Sequence, residues 1–161
     1  KIVRDIYNEA WKDNWGFLPL TLEELTGLAK EFKMILDEDF AHIAEWDGKP
    51  VGFSFALPDL NQVFKTMNGN LLPFGFIKFL WGKRKINRIR TALMGILPEY
   101  QGKGIDALFH QRTIENALVR KYVESELSWV LDNNTEMIHV AKRLGARIDK
   151  RYRMYAKKLE V

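Results

Sequence analysis

The chain has 161 residues, 25 Lys and Arg against 21 Asp and Glu for a formal net charge of +4, and no cysteine. That length is enough for one domain with a full core. The missing cysteine excludes a disulfide framework, a thiolate nucleophile and a zinc–thiolate site, and no apolar run approaches the length of a membrane span.

The first elements read as helices. Ile2, Val3, Ile6, Tyr7 and Ala10 share one face at helical spacing, and the pattern fades near Asn14-Trp15-Gly16. Thr21 with Glu24 makes a capping box for a second helix, with Leu22, Leu25, Leu28, Ala29 and Phe32 on one side. After the acidic break Asp37 to Asp39 the period changes. Ala41 to Trp46 and Val51 to Leu57 read as strands joined by Asp47-Gly48, a tight hairpin signal. Pro58 to Asn70 reads as a loop with a short helix near Val63 to Met67. A segment rich in large apolar residues, Leu71 to Trp81, precedes the basic residues Lys83, Arg84, Lys85, Arg88 and Arg90. Ile105 to Arg120 reads as a helix with Ile105, Leu108, Phe109, Ile114, Ala117 and Leu118 inward. Glu126 to Leu131 is an expected strand, Thr135 to Leu144 a helix closed by a left-handed Gly145, and Arg147 to Leu159 an extended segment.

One stretch, Arg90 to Gln111, organises the rest. An apolar run from Ala92 to Leu97 meets Pro98, the short loop that follows carries Gly102 and Gly104, and a helix pattern starts at Ile105. The first N–H groups of a helix lack internal partners and its dipole is positive there, while glycines allow close approach to the backbone. Strand, glycine loop and helix therefore form an anion site, suited to a nucleotide-like cofactor. The loop lacks the Lys-Ser/Thr ending of a Walker loop and the G-x-G-x-x-G of a dinucleotide fold.

The same stretch resembles motif A of the GNAT superfamily of acyl-CoA N-acyltransferases. Ile96, Leu97 and Pro98 match the strand end, and Gln101, Gly102, Lys103 and Gly104 match the loop. Asp106 departs, standing where that family has Gly or Ala. The hairpin EWDGKPVGFSFA matches the family's acidic-x-Asp-Gly-x-x-Val-Gly pattern. The ending Arg151, Tyr152, Arg153, Tyr155, with Pro58, Asp59 and Asn61 after the hairpin, is similar to a mostly uncharacterised bacterial group of longer chains. The resemblance implies an α/β layered domain over 1–161, its central mixed, mostly antiparallel sheet flanked by helices. The family's first strand would lie upstream of Lys1, as in a fragment of a longer protein.

The resemblance also implies acetyl-CoA or another acyl-CoA as cofactor, held by Met94, Gly95, Ile96, Gln101, Gly102, Lys103, Gly104, Ile105 and Asp106, with Asn134 contributing. The backbone N–H that polarises the thioester would fall near Met94 to Ile96. The family's usual tyrosine acid falls at Ala141, so Glu126 as base and Tyr152 as acid are the substitutes, with Asp59 and Asn61 as acceptor contacts. Each has a plainer role. Glu126 reads as a solvated strand start, Tyr152 as strand packing, Asp59 and Asn61 as turn formers, and Asp106 as a first-turn carboxylate suited to the dipole. The acceptor is a small-molecule or peptide amine. The alternative reading is a non-catalytic domain that binds CoA weakly or serves as a module of a longer protein. A cytoplasmic location is expected, with a homodimer compatible. His42, His110 and His139 lack metal-ligand spacing, so no metal is expected. The basic residues cluster without a recognised motif, so no nucleic acid is expected. Leu71 to Arg90 could meet a membrane surface or form an acyl- or substrate-binding lid, but a partly buried helix closing the acceptor side, its basic end solvated, is the preferred reading.

Overall fold

The computed structural model describes residues 1–33, 35–67 and 75–158, leaving aside the side chain of Phe76. The described residues form two compact units, Lys1–Trp129 and a unit beginning at Val130. In the first, helix α1 (Ile2–Trp11) and helix α2 (Leu22–Phe32) lead into strands β1 (Ala41–Trp46) and β2 (Lys49–Pro58). Helices α3 (Asn61–Met67) and α4 (Gly75–Lys83) follow. Strand β3 (Arg88–Ile96), helix α5 (Ile105–Val119) and strand β4 (Glu124–Leu127) complete the unit. The second unit holds helix α6 (Thr135–Arg143).

Local chemistry accounts for several boundaries. Thr21 accepts from the Glu24 N–H while Glu24 accepts from the Thr21 N–H, so the capping box starts α2 as expected. Asp47 and Gly48 both take positive φ, 49° and 73°, the geometry that matches a two-residue turn to the twist of β1 and β2. Gly145 closes α6 at φ 79°.

The sheet order is β1-β2-β3-β4, antiparallel at the first two joints and parallel at the third. Successive strand residues point to opposite faces. On one face a Cβ at Gly52 would lie 3.3 Å from Phe109 of α5. On the other, a Cβ at Gly95 would lie 2.8 Å from the Phe53 ring and 3.5 Å from Ala10 of α1. The sheet is thus held between α5 and α1. The β2–β3 register passes from Phe55↔Leu93 to Ala56↔Thr91, so Ala92 is an extra residue in β3. This bulge switches which β3 residues face α5. Ile89 packs near Ala117, whereas beyond the bulge Met94 and Ile96 pack with Ile105 and Phe109.

Four expectations are corrected. The last strand of the first unit spans Glu124–Leu127 rather than Glu126–Leu131, because Arg88 and Arg90 on β3 pair across the ladder with Glu124 and Glu126 and so fix its start. Helix α5 turns inward Ile105, Phe109, His110 and Thr113, leaving Leu108, Ile114 and Leu118 exposed. Leu22 and Leu28 of the apolar α2 stripe are exposed as well. Residues 147–158 carry no strand. The readings of Asn68 to Asn70, Leu71 to Phe74 and Leu159 lie outside the described residues.

Candidate active site

Beyond Thr91, paired with Leu127, β3 continues to Ile96 with no strand beside it on the β4 side among the described residues. The β4 side of β3 is thereby left open from Ala92 to Ile96 among the described residues. At the far end of β3 the chain turns through Pro98–Tyr100 into the glycine loop. Gln101 Nε2 donates to the Ile96 carbonyl at 3.1 Å, and the Leu97 N–H donates to the Val51 carbonyl at 2.9 Å. The loop is thereby fastened to the strand end. Gly102 and Gly104 have φ of 70° and 83°, which only glycine adopts readily. Helix α5 makes its first internal bond from the Leu108 N–H to the Gly104 carbonyl at 3.2 Å. The N–H groups of Gly102 through Ala107 therefore have no acceptor among the described residues. Together with the helix dipole they present a nest of donors for an anion.

Lys103 adds the nearest positive charge to this nest. Its Nζ lies 5.1 Å from the Trp46 ring centroid and 4.8 Å from that of Tyr100, a cation–π rest that holds the ammonium beside the loop. Sequence reasoning missed this rest, because Trp46 lies at the tip of a distant hairpin. Asp106 sits in the first turn of α5 and makes no ion pair among the described residues.

The expected sheet residues divide by role. Gly95 is buried with no room for a side chain, and the Met94 carbonyl accepts from Trp11 Nε1 at 3.0 Å, which ties α1 to the open part of β3. The backbone irregularity of β3 lies at Ala92, two residues before the Met94–Ile96 segment expected to polarise the thioester.

Glu126 stands one pair short of the end of the β3–β4 ladder, its carboxylate 3.1 Å from Arg90 Nη2. Arg90 Nε is buried without a partner among the described residues, an unused donor on β3 that the sequence did not single out. Asp59, only 4% exposed, accepts from the Asn61 N–H at 3.2 Å and from Asn61 Nδ2 at 3.0 Å. It also lies 3.5 Å from Arg88 Nη1. Its carboxylate thus forms the turn into α3 and anchors the start of β3, which is the turn-forming role. In the second unit Asn134 caps α6 by accepting from the Met137 N–H at 3.1 Å. Tyr152 is exposed within the strand-free segment 147–158.

Between the sheet and α5, His42 Nε2, Ser54 Oγ and His110 Nε2 are buried without hydrogen-bond partners among the described residues. Burial is the main cause that pushes both imidazoles below their ordinary value of 6.5. Asp106 opposes it at His110; Arg112 adds to it and Asp39 opposes it at His42. A base whose folded pKa is depressed binds fewer protons folded than unfolded. Stability therefore declines as pH falls through about 6.5 and levels off below the folded values. Thermal unfolding should occur at a lower midpoint at about pH 5 than at about pH 7.5, with His110→Gln flattening the slope. An equal slope in parent and variant would contradict this.

A donor nest that opens a helix at the end of a half-paired strand defines a class of α/β domain with a site suited to an anion. The acetyltransferase (GNAT) family model matches residues 1–146, and the chain belongs to that family. Protein YghO of Escherichia coli (strain K12) is 37% identical over 166 residues, covering 99% of this chain and 42% of that protein. A Caulobacter vibrioides (strain NA1000 / CB15N) protein named bacterial ceramide synthase is 36% identical over 162 residues, covering 96% of this chain and 42% of that protein. The chain thus spans less than half the length of these curated relatives. Among solved structures, AAC(6')-Iy in complex with the bisubstrate analog CoA-S-monomethyl-acetylneamine has a TM-score of 0.63 at 17% identity, covering 98% of this chain and 90% of that one. Aminoglycoside antibiotic 6'-N-acetyltransferase AAC(6')-IG from Acinetobacter haemolyticus has a TM-score of 0.57 at 14% identity, covering 99% and 92%. At those identities the likeness is one of fold, and it includes the mixed sheet with flanking helices expected from the sequence.

Proposed function

We propose that this chain carries the acyl-transfer site of an N-acyltransferase that takes an acyl group from acyl-CoA and delivers it to an amine. The observation that carries this reading is the run of unpartnered N–H groups from Gly102 to Ala107, which suits a pyrophosphate. CoA supplies an activated thioester, and the amine nitrogen replaces sulfur at the acyl carbon while the thiol leaves. The loop binds, Lys103 adds positive charge, and the length of β3 beyond its pairing with β4, from Ala92 to Ile96, offers backbone N–H groups to orient the pantetheine arm and the thioester carbonyl. Glu126 takes a proton from the incoming ammonium, and solvent returns one to the leaving sulfur.

The relative named bacterial ceramide synthase favours one acceptor class. A ceramide is an N-acylated long-chain amino alcohol, so the acceptor in this reading is the amine of such a lipid and the donor a fatty acyl-CoA. The test measures thiol release from acetyl- and fatty acyl-CoA against a panel of long-chain amino alcohols, aminoglycosides and peptides. Glu126→Gln should lower turnover on the order of tenfold or more with CoA affinity kept. Thiol release with none of the amines would sink the reading.

A second reading, a non-catalytic domain with weak CoA binding, is favoured by Asp106 and by the Arg90 partner of Glu126. Asp106→Gly removes a carboxylate from beside the nest and should tighten CoA binding about fivefold, the size of one water-screened repulsion between like charges. Unchanged or weaker affinity in calorimetry would show that the carboxylate turns away from the ligand.

A further inference from the structure

We infer that the outer face of α4 is a docking surface for an anionic lipid bilayer. Helices α3 and α4 pack tightly on each other. Gly75 is buried, Phe79 stacks on Phe64 at 6.1 Å between ring centroids, and a Cβ on Gly82 would come within 2.7 Å of Val63 Cγ1. Positions 75, 79 and 82 share one helical face, and that face is used up.

The other face carries Ile77, Leu80 and Trp81, at the i, i+3, i+4 spacing of a single stripe. They are 50%, 49% and 73% exposed. A contiguous apolar stripe ending in an indole is unusual on a surface that meets only water, and tryptophan is a side chain favoured at a membrane–water boundary. The preferred reading from sequence, a partly buried helix with only its basic end in water, accounts for the inner face alone.

Charge complementarity identifies the occupant. Residues 60–98 hold seven Lys and Arg and not one Asp or Glu, so against the chain's net charge of +4 all the other residues sum to −3. The positive charge is thus concentrated in the segment that contains the stripe. Arg88 and Arg90 are paired with carboxylates of β4. Lys65, Lys78, Arg84 and Lys85 have no carboxylate partner among the described residues. An apolar stripe on a basic segment that carries no acid of its own fits the headgroup layer of an anionic bilayer, where the indole and aliphatic side chains enter the acyl boundary and the cations meet lipid phosphates. This surface does not depend on which amine is acylated.

The experiment is co-sedimentation of the protein with phosphatidylcholine vesicles and with vesicles that also contain phosphatidylglycerol. Binding to the mixed vesicles is expected to exceed binding to phosphatidylcholine at least tenfold and to weaken as salt rises. The double variant R84Q/K85Q should lose about 20-fold in partitioning, and I77S/W81S about as much. All four side chains are exposed, so the thermal midpoint of each variant should match the parent. Equal partitioning to both vesicle types, no binding at low salt, or unchanged binding by both variants would overturn the inference. So would duplex DNA binding that R84Q/K85Q abolishes in a protein that ignores vesicles. Velocity sedimentation without lipid covers the remaining occupant: a dimer dissociated by I77S/W81S would assign the stripe to a second copy of the chain.

Discussion

Replacing Gly104 with valine is expected to lower CoA affinity about a hundredfold. Gly104 has φ 83° and ψ 8° and is the residue from which α5 departs. A Cβ there would meet no atom within 4 Å, so the cost is not a clash. It is the left-handed backbone, which a β-branched residue reaches only at about 1–2 kcal/mol. The loop escapes that strain by rotating Gly104 out of the left-handed region, and this turns the N–H groups of Gly104 and Ile105 away from their common focus. Gly16→Val is the control. Gly16 also has positive φ, 72°, with nothing within 4 Å of a Cβ. It should lose similar stability and leave CoA affinity unchanged. Equal CoA binding by parent and Gly104→Val in calorimetry would remove the loop from the site.

Gly95→Ala should destabilise the fold by about 1–3 kcal/mol, the range for overpacking a tight interior, and Gly95→Val by more. The reason is steric here. A Cβ would lie 2.8 Å from Cε1 and 3.3 Å from Cζ of Phe53, a ring that is fully buried and in contact with Phe55. Ala10 closes the space from α1. The ring cannot yield without moving β2, and moving β2 shifts β3, whose Met94 carbonyl is tied to Trp11. A drop of about 2–9 °C in the thermal midpoint of Gly95→Ala is expected. Phe53→Leu in the same chain should recover part of it, because a smaller side chain makes room for the new methyl. An unchanged midpoint for Gly95→Ala would mean that the sheet yields at this point.

Elements governed by neighbouring residues were legible from the sequence. The Thr21 and Glu24 box, the Asp47-Gly48 turn and the left-handed Gly145 each depend on side chains or φ values within a few positions, and each stands where it was expected. The glycine loop was legible for the same reason. What depends on distant partners was not. The inward face of α5 was misread because apolar residues lie on both sides of the helix, so its phase is set by the loop fastened to β3 rather than by its own pattern. The start of β4 was misread because Glu124 and Glu126 look solvated in sequence, whereas Arg88 and Arg90 across the ladder draw them into register. The role of Asp59 was half legible. Its turn with Asn61 is local, but its ion pair reaches across to Arg88 at the foot of β3. The bulge at Ala92 was not legible, because its position follows from pairing with β2.

Hydrogen–deuterium exchange of the native protein with and without saturating CoA tests the central claim most directly. The amides of Gly102 through Ala107 lack protein acceptors and should exchange fast in the free protein. CoA held by this nest should slow their exchange about tenfold or more, while the amides around Gly16 stay as they were. CoA that binds without protecting Gly102 through Ala107 would contradict the account, and so would no binding at all.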